Sequence, residues 1–272
     1  MHLSEEHLRE LSSAYDRLEQ LPLAIRLANA VGRPLEALSV GLPKGITGRV
    51  MDVAGRSLSL GMCVALSTVR QGPTGSAQLR RHRIVVGSTG AVGGFFGAAG
   101  LPLELPFTTV VMLRAIAGVA REEGEDMADP RVALECLGVL AHGGPSPHDD
   151  ATETSYYAVR AALAPGIRQA AEYVSRHVAG DLPRHAASLL LRVLQPLVAR
   201  FGQAAVQKAI AQSVPGVGAA AGAAVNVAFI GHFQSVAQGH FAVRRLERLY
   251  GREAVREAYG ELREARTGAA PG

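Results

Sequence analysis

A carboxylate and several imidazoles in apolar surroundings are the residues of this chain that could do chemistry. Glu104 stands between two prolines in Leu-Pro-Leu-Glu-Leu-Pro. A carboxylate buried there needs a cation, a backbone donor or a proton. In a cleft with His82, His232 or His240 it could act as a general acid or base, or hold a metal ion. Beside Arg114 it would form a structural ion pair, and we expect this pairing because tight helical cores commonly contain buried ion pairs.

The candidate polar site consists of polar and ionisable residues that lie in or beside apolar segments. Its members are His82, Glu104, Arg114, Asn226, His232, His240 and Arg244. On a straight helix His232 and His240 would lie about 12 Å apart along the axis, too far for one ion unless Gly239 bends the helix. A histidine on a mostly apolar helix is more often a hydrogen-bonded core residue. We therefore predict no metal site, and the sequence identifies no cofactor.

The common nucleotide-binding and hydrolase motifs are absent. Neither glycine-rich stretch is followed by the Lys-Ser/Thr pair of a phosphate loop, and Gly216, Gly218 and Gly222 do not have the dinucleotide-binding spacing. No Gly-x-Ser-x-Gly elbow and no His-Glu-x-x-His helix occurs. The usual signatures of P-loop proteins, Rossmann dehydrogenases, serine hydrolases and zinc proteases are thereby excluded.

Composition argues against nucleic acid as a partner. The 272 residues carry 28 Lys and Arg against 24 Asp and Glu, yet aromatic residues make up only 5% and Trp is absent. No aromatic platform therefore accompanies the few clustered cations, as single-strand binding requires. Cys63 and Cys136 lie far apart, and the N-terminus has no secretory pattern, so we expect a reducing, cytoplasmic compartment.

The elements that must position these residues are helices. Ser4 with Glu5 and Glu6 predicts the start of an amphipathic helix, and Asp129-Pro130 predicts a capped start of another. No run of alternating strands occurs, so the fold class is all-α, a multi-helix bundle. The turn-rich segment 71–76 separates an N-terminal helical subregion, 1–70, from a core at 77–266, and we expect both to form one continuous domain.

Two glycine-rich apolar stretches, 84–120 and 214–230, are the main anomaly of the sequence. The first has only Glu104 and Arg114 as charged residues, and Pro102 and Pro106 divide it into two apolar halves. We expect the bundle to be built around glycine-rich helical hairpins. Small residues allow backbones to approach closely, whether the neighbour is protein or lipid. In the first alternative the stretches form a buried soluble core, and in the second they contact a membrane.

Basic residues before the first stretch favour contact with a membrane surface. Arg80, Arg81 and Arg83 precede it and Arg121 follows it, which could hold both ends at an anionic cytoplasmic surface. Arg114 opposes full insertion, because a cation in the middle of a membrane helix costs roughly 2.5 to 3.5 kcal/mol. Peripheral association at the inner face of the membrane satisfies both observations.

Four strings of the sequence resemble the EcsC family of bacterial proteins. They run from His82 to Asp126, Cys136 to Gly144, Ser155 to Leu163 and Val214 to Gly251, within a similarity that covers about 35–259. The resemblance implies an α-helical protein, associated genetically with an ABC transporter and without an established catalytic mechanism. The positions that match the family's recurring pattern are His82, Glu104, Arg114, Tyr156, Arg160, Asn226, His232, His240, Arg244 and Glu247.

The expected function is non-catalytic and membrane-proximal. It consists of binding a lipid-like ligand or regulating a membrane partner such as an ABC transporter. The alternative is a hydrolase, with or without a metal ion, that uses Glu104 with His82, His232 and His240. A third hypothesis is an effector that permeabilises membranes through its glycine-rich stretches.

Overall fold

The computed structural model describes residues 3–19, 22–32, 45–68, 100–143, 156–177, 190, 192, 194–212 and 219–267. All regular structure in these ranges is helical, with no strand, which confirms the all-α class. The helices, in chain order, are α1 (Glu5–Leu18), α2 (Leu23–Val31), α3 (Ile46–Thr68), α4 (Leu101–Glu122), α5 (Pro130–Gly138), a 3-10 helix (Val139–Gly143), α6 (Tyr156–His177), α7 (Gln195–Gln212), α8 (Ala219–Tyr250) and α9 (Arg252–Thr267).

Two helix starts follow the predicted caps. The side chain of Ser4 accepts a hydrogen bond from the backbone N–H of His7, so that one of the unpaired donors of the first turn of α1 is satisfied. Oδ1 of Asp129 accepts from the N–H of Arg131 at 2.8 Å, and Pro130 occupies the first position of α5. Both predicted starts are confirmed.

Helix α4 differs from the predicted division at its prolines. It begins at Leu101, before both of them, and continues to Glu122 with Pro106 inside it. Pro102 lies in the first turn, where a missing N–H removes no intrahelical bond, and Pro106 is only one turn further on. Both prolines therefore stand within the first turns of one helix.

The expected glycine-rich hairpins are not shown. Of the first stretch, residues 84–99 lie outside the described ranges, as do Arg80, Arg81, His82, Arg83 and the predicted linker at 71–76. Of the second, residues 219–230 form the beginning of α8, which continues without interruption to Tyr250. Helix α8 is the longest described helix and packs against α1, α2, α4, α7, α9 and the 3-10 helix.

The main hydrophobic core surrounds the middle of α8. Phe229, Phe233 and Phe241 are fully buried there and pack with residues from α2 to α7. Leu27 and Leu58, from the predicted N-terminal subregion, belong to the same core. A second, smaller cluster joins α1 and α9 to the C-terminal part of α8. The segments on either side of residue 70 thus share one core.

Gly239 marks the closest approach between α1 and α8. A Cβ atom at this position would lie 2.9 Å from the carbonyl oxygen of Ala14 and 2.7 Å from Cγ of Leu18. Helix α8 continues through Gly239, so this glycine neither ends the helix nor breaks it between His232 and His240. Its missing side chain instead lets the backbone of α1 lie directly against α8.

Candidate functional site

The described residues of the predicted polar site belong to two helices. Glu104 and Arg114 lie on α4, whereas Asn226, His232, His240 and Arg244 lie along α8. The structure divides them between two buried groups, one exposed face and a separate contact made by His232. His82 falls outside the described residues.

The first group, the Glu104 cluster, comprises Glu104, Lys208, Gln212 and Asn226. Lys208 Nζ donates to Glu104 Oε1 at 2.7 Å and to Asn226 Oδ1 at 2.9 Å. Gln212 Nε2 donates to the other carboxylate oxygen at 3.1 Å. All four side chains are buried, and Lys208 has no exposed surface. The cluster therefore ties the start of α4 to the end of α7 and the first third of α8.

The expected pairing of Glu104 with Arg114 is wrong. Arg114 is exposed, ten residues further along α4, about 15 Å from Glu104 along the helix axis. Both oxygens of Glu104 accept hydrogen bonds from α7, and no histidine among the described residues is a partner of either. Burial lowers the pKa of Lys208, and the adjacent carboxylate opposes that shift. Each oxygen of Glu104 accepts a hydrogen bond from a buried side chain of α7, so the carboxylate links α4 to α7.

Sequence reasoning missed Lys208, although a signal for it exists. Between residues 201 and 243 it is the only Asp, Glu, Lys or Arg in the chain. A single charge in so long an uncharged segment must be either exposed or paired inside the protein. It therefore qualified as a partner for Glu104 on the same grounds as Arg114.

His232 forms a separate contact on α8. Its Nε2 lies 3.1 Å from the carbonyl oxygen of His142, in the 3-10 helix, and donates a hydrogen bond to it. Burial lowers the pKa of His232 to about 4, with a partial opposing effect from this hydrogen bond. The imidazole is therefore neutral near pH 7 and joins α8 to the 3-10 helix as a structural donor.

The second group, the His240 network, comprises Glu125, Glu135, Tyr156, Arg160, His240, Arg244 and Glu247. Within it His240 is almost fully buried, at 2% exposure. Its Nδ1 lies 3.0 Å from the hydroxyl of Tyr156, and its Nε2 lies 3.4 Å from Oε2 of Glu135. Burial lowers the pKa of His240, although the adjacent carboxylate opposes the shift.

Two arginines of the network pair with its three carboxylates. Arg244 makes a paired contact with Glu125, at 2.7 and 3.0 Å, and donates to Glu135 Oε1 at 3.0 Å. Arg160 makes a paired contact with Glu247, at 2.8 and 2.9 Å. Burial opposes ionisation of Glu135, but contact with His240 and the charges of the arginines outweigh it and lower its pKa to about 2. The network is thus ionised at neutral pH and internally paired.

Glu125 and Glu135 were missed by sequence reasoning. Glu135 is a lone acid in the apolar run Ala-Leu-Glu-Cys-Leu-Gly, which is the same kind of signal as that of Lys208. Glu125 lies in the connection between α4 and α5 and carried no comparable signal.

The third feature is an exposed face of α4. Leu103 is 87% exposed and Phe107 is 45% exposed. Of the described helices only α4 is long and apolar enough to cross a membrane, and 56% of its most apolar window is buried within the protein. Arg114 lies seven positions after Phe107 and eleven after Leu103, and both spacings return to the same face of a helix.

Among the described residues no group of three or more His, Cys, Asp or Glu is placed to hold a metal ion.

The described residues form an all-helical bundle, and the longest described helix carries members of two buried polar groups. The EcsC protein family matches residues 58–246, well over half of the chain, and the chain belongs to that family. The matched region contains all of the Glu104 cluster and, apart from Glu247, all of the His240 network. Neither a curated protein nor a solved structure matches the chain.

Proposed function

We propose that this EcsC family member is a non-catalytic, peripheral protein of the cytoplasmic membrane face, and that α4 binds a lipid surface carrying anionic headgroups. The observation that carries the proposal is the exposure of Leu103 and Phe107 on the one described helix that is long and apolar enough to cross a membrane. Large apolar side chains in this position are in contact with water unless something covers them.

The exposed face of α4 has the arrangement of an interfacial helix. Leu103, Phe107 and the partly exposed Val110 form an apolar strip along its first half. The strip continues into Arg114 and Arg121, which lie on the same side because eleven and eighteen residues are nearly whole numbers of turns. Apolar residues can enter the acyl boundary while arginines reach headgroup phosphates. Charge and apolar surface are therefore both matched to an anionic membrane.

The packing of α4 favours a helix that lies on the membrane over one that crosses it. The opposite side of α4 is packed against α3 and α8 and includes the buried Glu104. Inserting that side of α4 into the bilayer would place the Glu104 cluster in hydrocarbon, where unpaired charges are very costly. Arg114 lies about 16 Å from Leu103 along the helix axis. Shallow entry of the first half therefore leaves this arginine at headgroup level.

A lipid surface matches the exposed face of α4 better than an ABC transporter does, because this face is an apolar strip followed by cations. The hydrolase alternative loses its proposed acid, since Lys208 and Gln212 occupy both oxygens of Glu104. His240 faces Glu135 and Tyr156, and His232 donates to a backbone carbonyl. No observation on the described residues brings Glu104 and a histidine together around a substrate.

Flotation with vesicles tests the proposal. The full chain should float with phosphatidylcholine vesicles that contain phosphatidylglycerol at low salt, and added salt should reduce the floated fraction. Replacing Leu103 and Phe107 together by serine should abolish most of the flotation. The matched control replaces Ile25 and Leu249 by serine; these are 44% and 53% exposed on other helices, and the control should float like the wild type.

Two further results bear on the same test. Arg114→Glu should weaken binding to anionic vesicles more than binding to pure phosphatidylcholine, because it reverses a charge at headgroup level. The proposal is wrong if the wild-type chain stays entirely in the soluble fraction at low salt. It is also wrong if the Leu103/Phe107 double variant, with its helical circular dichroism intact, floats as well as its control.

A further inference from the structure

Four of the six tyrosines of the chain lie in one cluster between α1, α6 and α9. This tyrosine cluster comprises Tyr15, Tyr156, Tyr157 and Tyr259. The ring centre of Tyr156 lies 5.1 Å from that of Tyr157 and 5.8 Å from that of Tyr259, and the rings of Tyr15 and Tyr259 are 4.9 Å apart. The four rings therefore form a continuous set, whose member Tyr156 also belongs to the His240 network.

The hydroxyl of Tyr156 stands in line with a base and a carboxylate. Burial raises the pKa of Tyr156, so its hydroxyl keeps its proton and donates to His240 Nδ1 at 3.0 Å. On the other side of the imidazole, Nε2 lies 3.4 Å from Oε2 of Glu135. The pKa of Glu135 is lowered to about 2, so this carboxylate is ionised at neutral pH. A proton that leaves Tyr156 can therefore be taken up by His240 beside a fixed negative charge.

This arrangement meets the requirement for removing an electron from a buried phenol. A phenol that has lost one electron is a strong acid, and its positive charge is costly in the protein interior. The guanidinium of Arg160, 5.3 Å from the ring centre of Tyr156, adds to that cost. The proton must therefore leave with the electron, to an acceptor within hydrogen-bond distance. A buried hydroxyl needs only an acceptor; the ionised Glu135 behind the imidazole is what oxidation requires in addition.

Tyr157 connects Tyr156 with the protein surface. Tyr156 is only 1% exposed, whereas Tyr157 is partly exposed and its ring is in edge contact with that of Tyr156. The hydroxyl of Tyr157 donates to Glu247 Oε1 at 3.3 Å, so this phenol also has an acceptor for its proton. An electron can thus pass from the interior to the surface through two adjacent rings, while the inner ring is shielded from direct contact with solutes.

We propose that Tyr156 is a redox-active tyrosine, which gives one electron through Tyr157 to an organic peroxyl radical at the protein surface. The O–H bond of Tyr156 breaks, and its proton forms an N–H bond at His240 Nδ1. The products in the protein are a neutral tyrosyl radical and an imidazolium that faces Glu135. The peroxyl radical takes up the electron together with a proton from the solvent and becomes a hydroperoxide. This activity is independent of lipid binding by α4.

Electron paramagnetic resonance of the freeze-quenched full chain tests whether the radical forms. Alkylperoxyl radicals from a water-soluble azo initiator should produce a tyrosyl radical signal in the wild type. In Tyr156→Phe the signal should decay at least tenfold faster, because a radical left on Tyr157 is closer to the solvent. Tyr173→Phe, about 25 Å further along α6, is the control and should behave like the wild type. The proposal is overturned if the wild type forms no tyrosyl radical, or if the signal of Tyr156→Phe, with an unchanged helical signal, persists as long.

His240→Gln tests the proton acceptor. Glutamine keeps a hydrogen-bond acceptor for Tyr156 but cannot take up its proton. With flash-generated tris(bipyridine)ruthenium(III) as the one-electron oxidant, tyrosyl radical formation should be at least tenfold slower in this variant than in the wild type. The wild-type reaction should also be slower in D₂O than in H₂O. His232→Gln, which alters a histidine bonded to a backbone carbonyl, should react like the wild type. A wild-type rate in His240→Gln, or no effect of D₂O, would show that His240 has only a structural role and would overturn the proposal.

Discussion

Nζ of Lys208 lies 2.7 Å from Oε1 of Glu104, and both side chains are buried in the centre of the helix bundle. The pair joins α4 to α7 across 104 positions of sequence. Asn226 Oδ1 accepts a second hydrogen bond from the same ammonium, so that α8 is included. The contact of three helices at one charged pair makes their relative positions dependent on it.

Lys208→Met is expected to destabilise the fold by about 3 to 5 kcal/mol, because it leaves the Glu104 carboxylate buried without its cation. Urea unfolding followed by circular dichroism measures the loss. The double variant Lys208→Met/Glu104→Gln should recover part of it, since no unpaired charge remains.

Arg114→Ala is the control for the corrected pairing. Its side chain is exposed, so the free energy of unfolding should change by less than about 0.5 kcal/mol. The assigned pairing is refuted if Arg114→Ala is as damaging as Lys208→Met. It is also refuted if removing Glu104 brings no recovery in the double variant.

Gly239→Ala and Gly231→Ala, on the same helix, should change stability in opposite directions. At Gly239 a methyl group would meet the backbone of α1, and we expect a loss of about 1 to 3 kcal/mol. At Gly231 a methyl group would have no neighbouring atom within 4 Å, so alanine should stabilise the helix by about 0.5 to 1 kcal/mol. Thermal unfolding of both variants provides the comparison. Equal effects would contradict the close approach of α1 to α8.

His232 should make the protein less stable as the pH falls. Burial lowers its pKa in the folded state to about 4 from the ordinary 6.5, so the unfolded chain takes up the proton first. The stabilisation is present above pH 6.5 and is lost as the pH falls toward 4, about 2 kcal/mol of it between pH 7 and pH 5. Urea unfolding of the wild type and His232→Gln at both pH values measures this, and the variant should lose about 2 kcal/mol less. Parallel losses in both proteins would show that His232 is not the titrating group.

The two cysteines should react at very different rates. Cys63 is exposed on α3, whereas Cys136 is buried in α5, and burial raises the pKa of its thiol. One thiol per chain should therefore react quickly with a maleimide in the native state, and the second only after unfolding. Cys63→Ser should remove the fast reaction. Fast labelling that persists in Cys63→Ser would show that the packing around α5 is wrong.

The sequence predicted best what depends on neighbouring residues. The all-α class, the cap of α1 at Ser4 and the Asp129-Pro130 start of α5 follow from local chemistry, and the structure confirms them. Family membership was also predicted correctly, from strings that extend over most of the chain. Each of these signals is contained in a few residues or in a direct match.

What the sequence did not predict depends on which helices meet. Glu104 could have paired with any cation that the fold brought close, and Arg114 was expected as the partner because tight helical cores commonly contain buried ion pairs. The actual partner, Lys208 on α7, is brought to Glu104 by the tertiary arrangement of the helices, which no local pattern specifies. The same applies to Glu125 and Arg244, which meet across 119 positions. Where two polar residues are distant in sequence, only the tertiary arrangement decides whether they pair.

Helix α8 carries Asn226 near its beginning and Arg244 near its end, about 27 Å apart along one axis. The helix is not interrupted between them, so the distance between these two residues is fixed. A shift of α8 along its axis would therefore displace Asn226 and Arg244 together. A proline introduced at its midpoint would uncouple the two ends while leaving each with its own ion pairs.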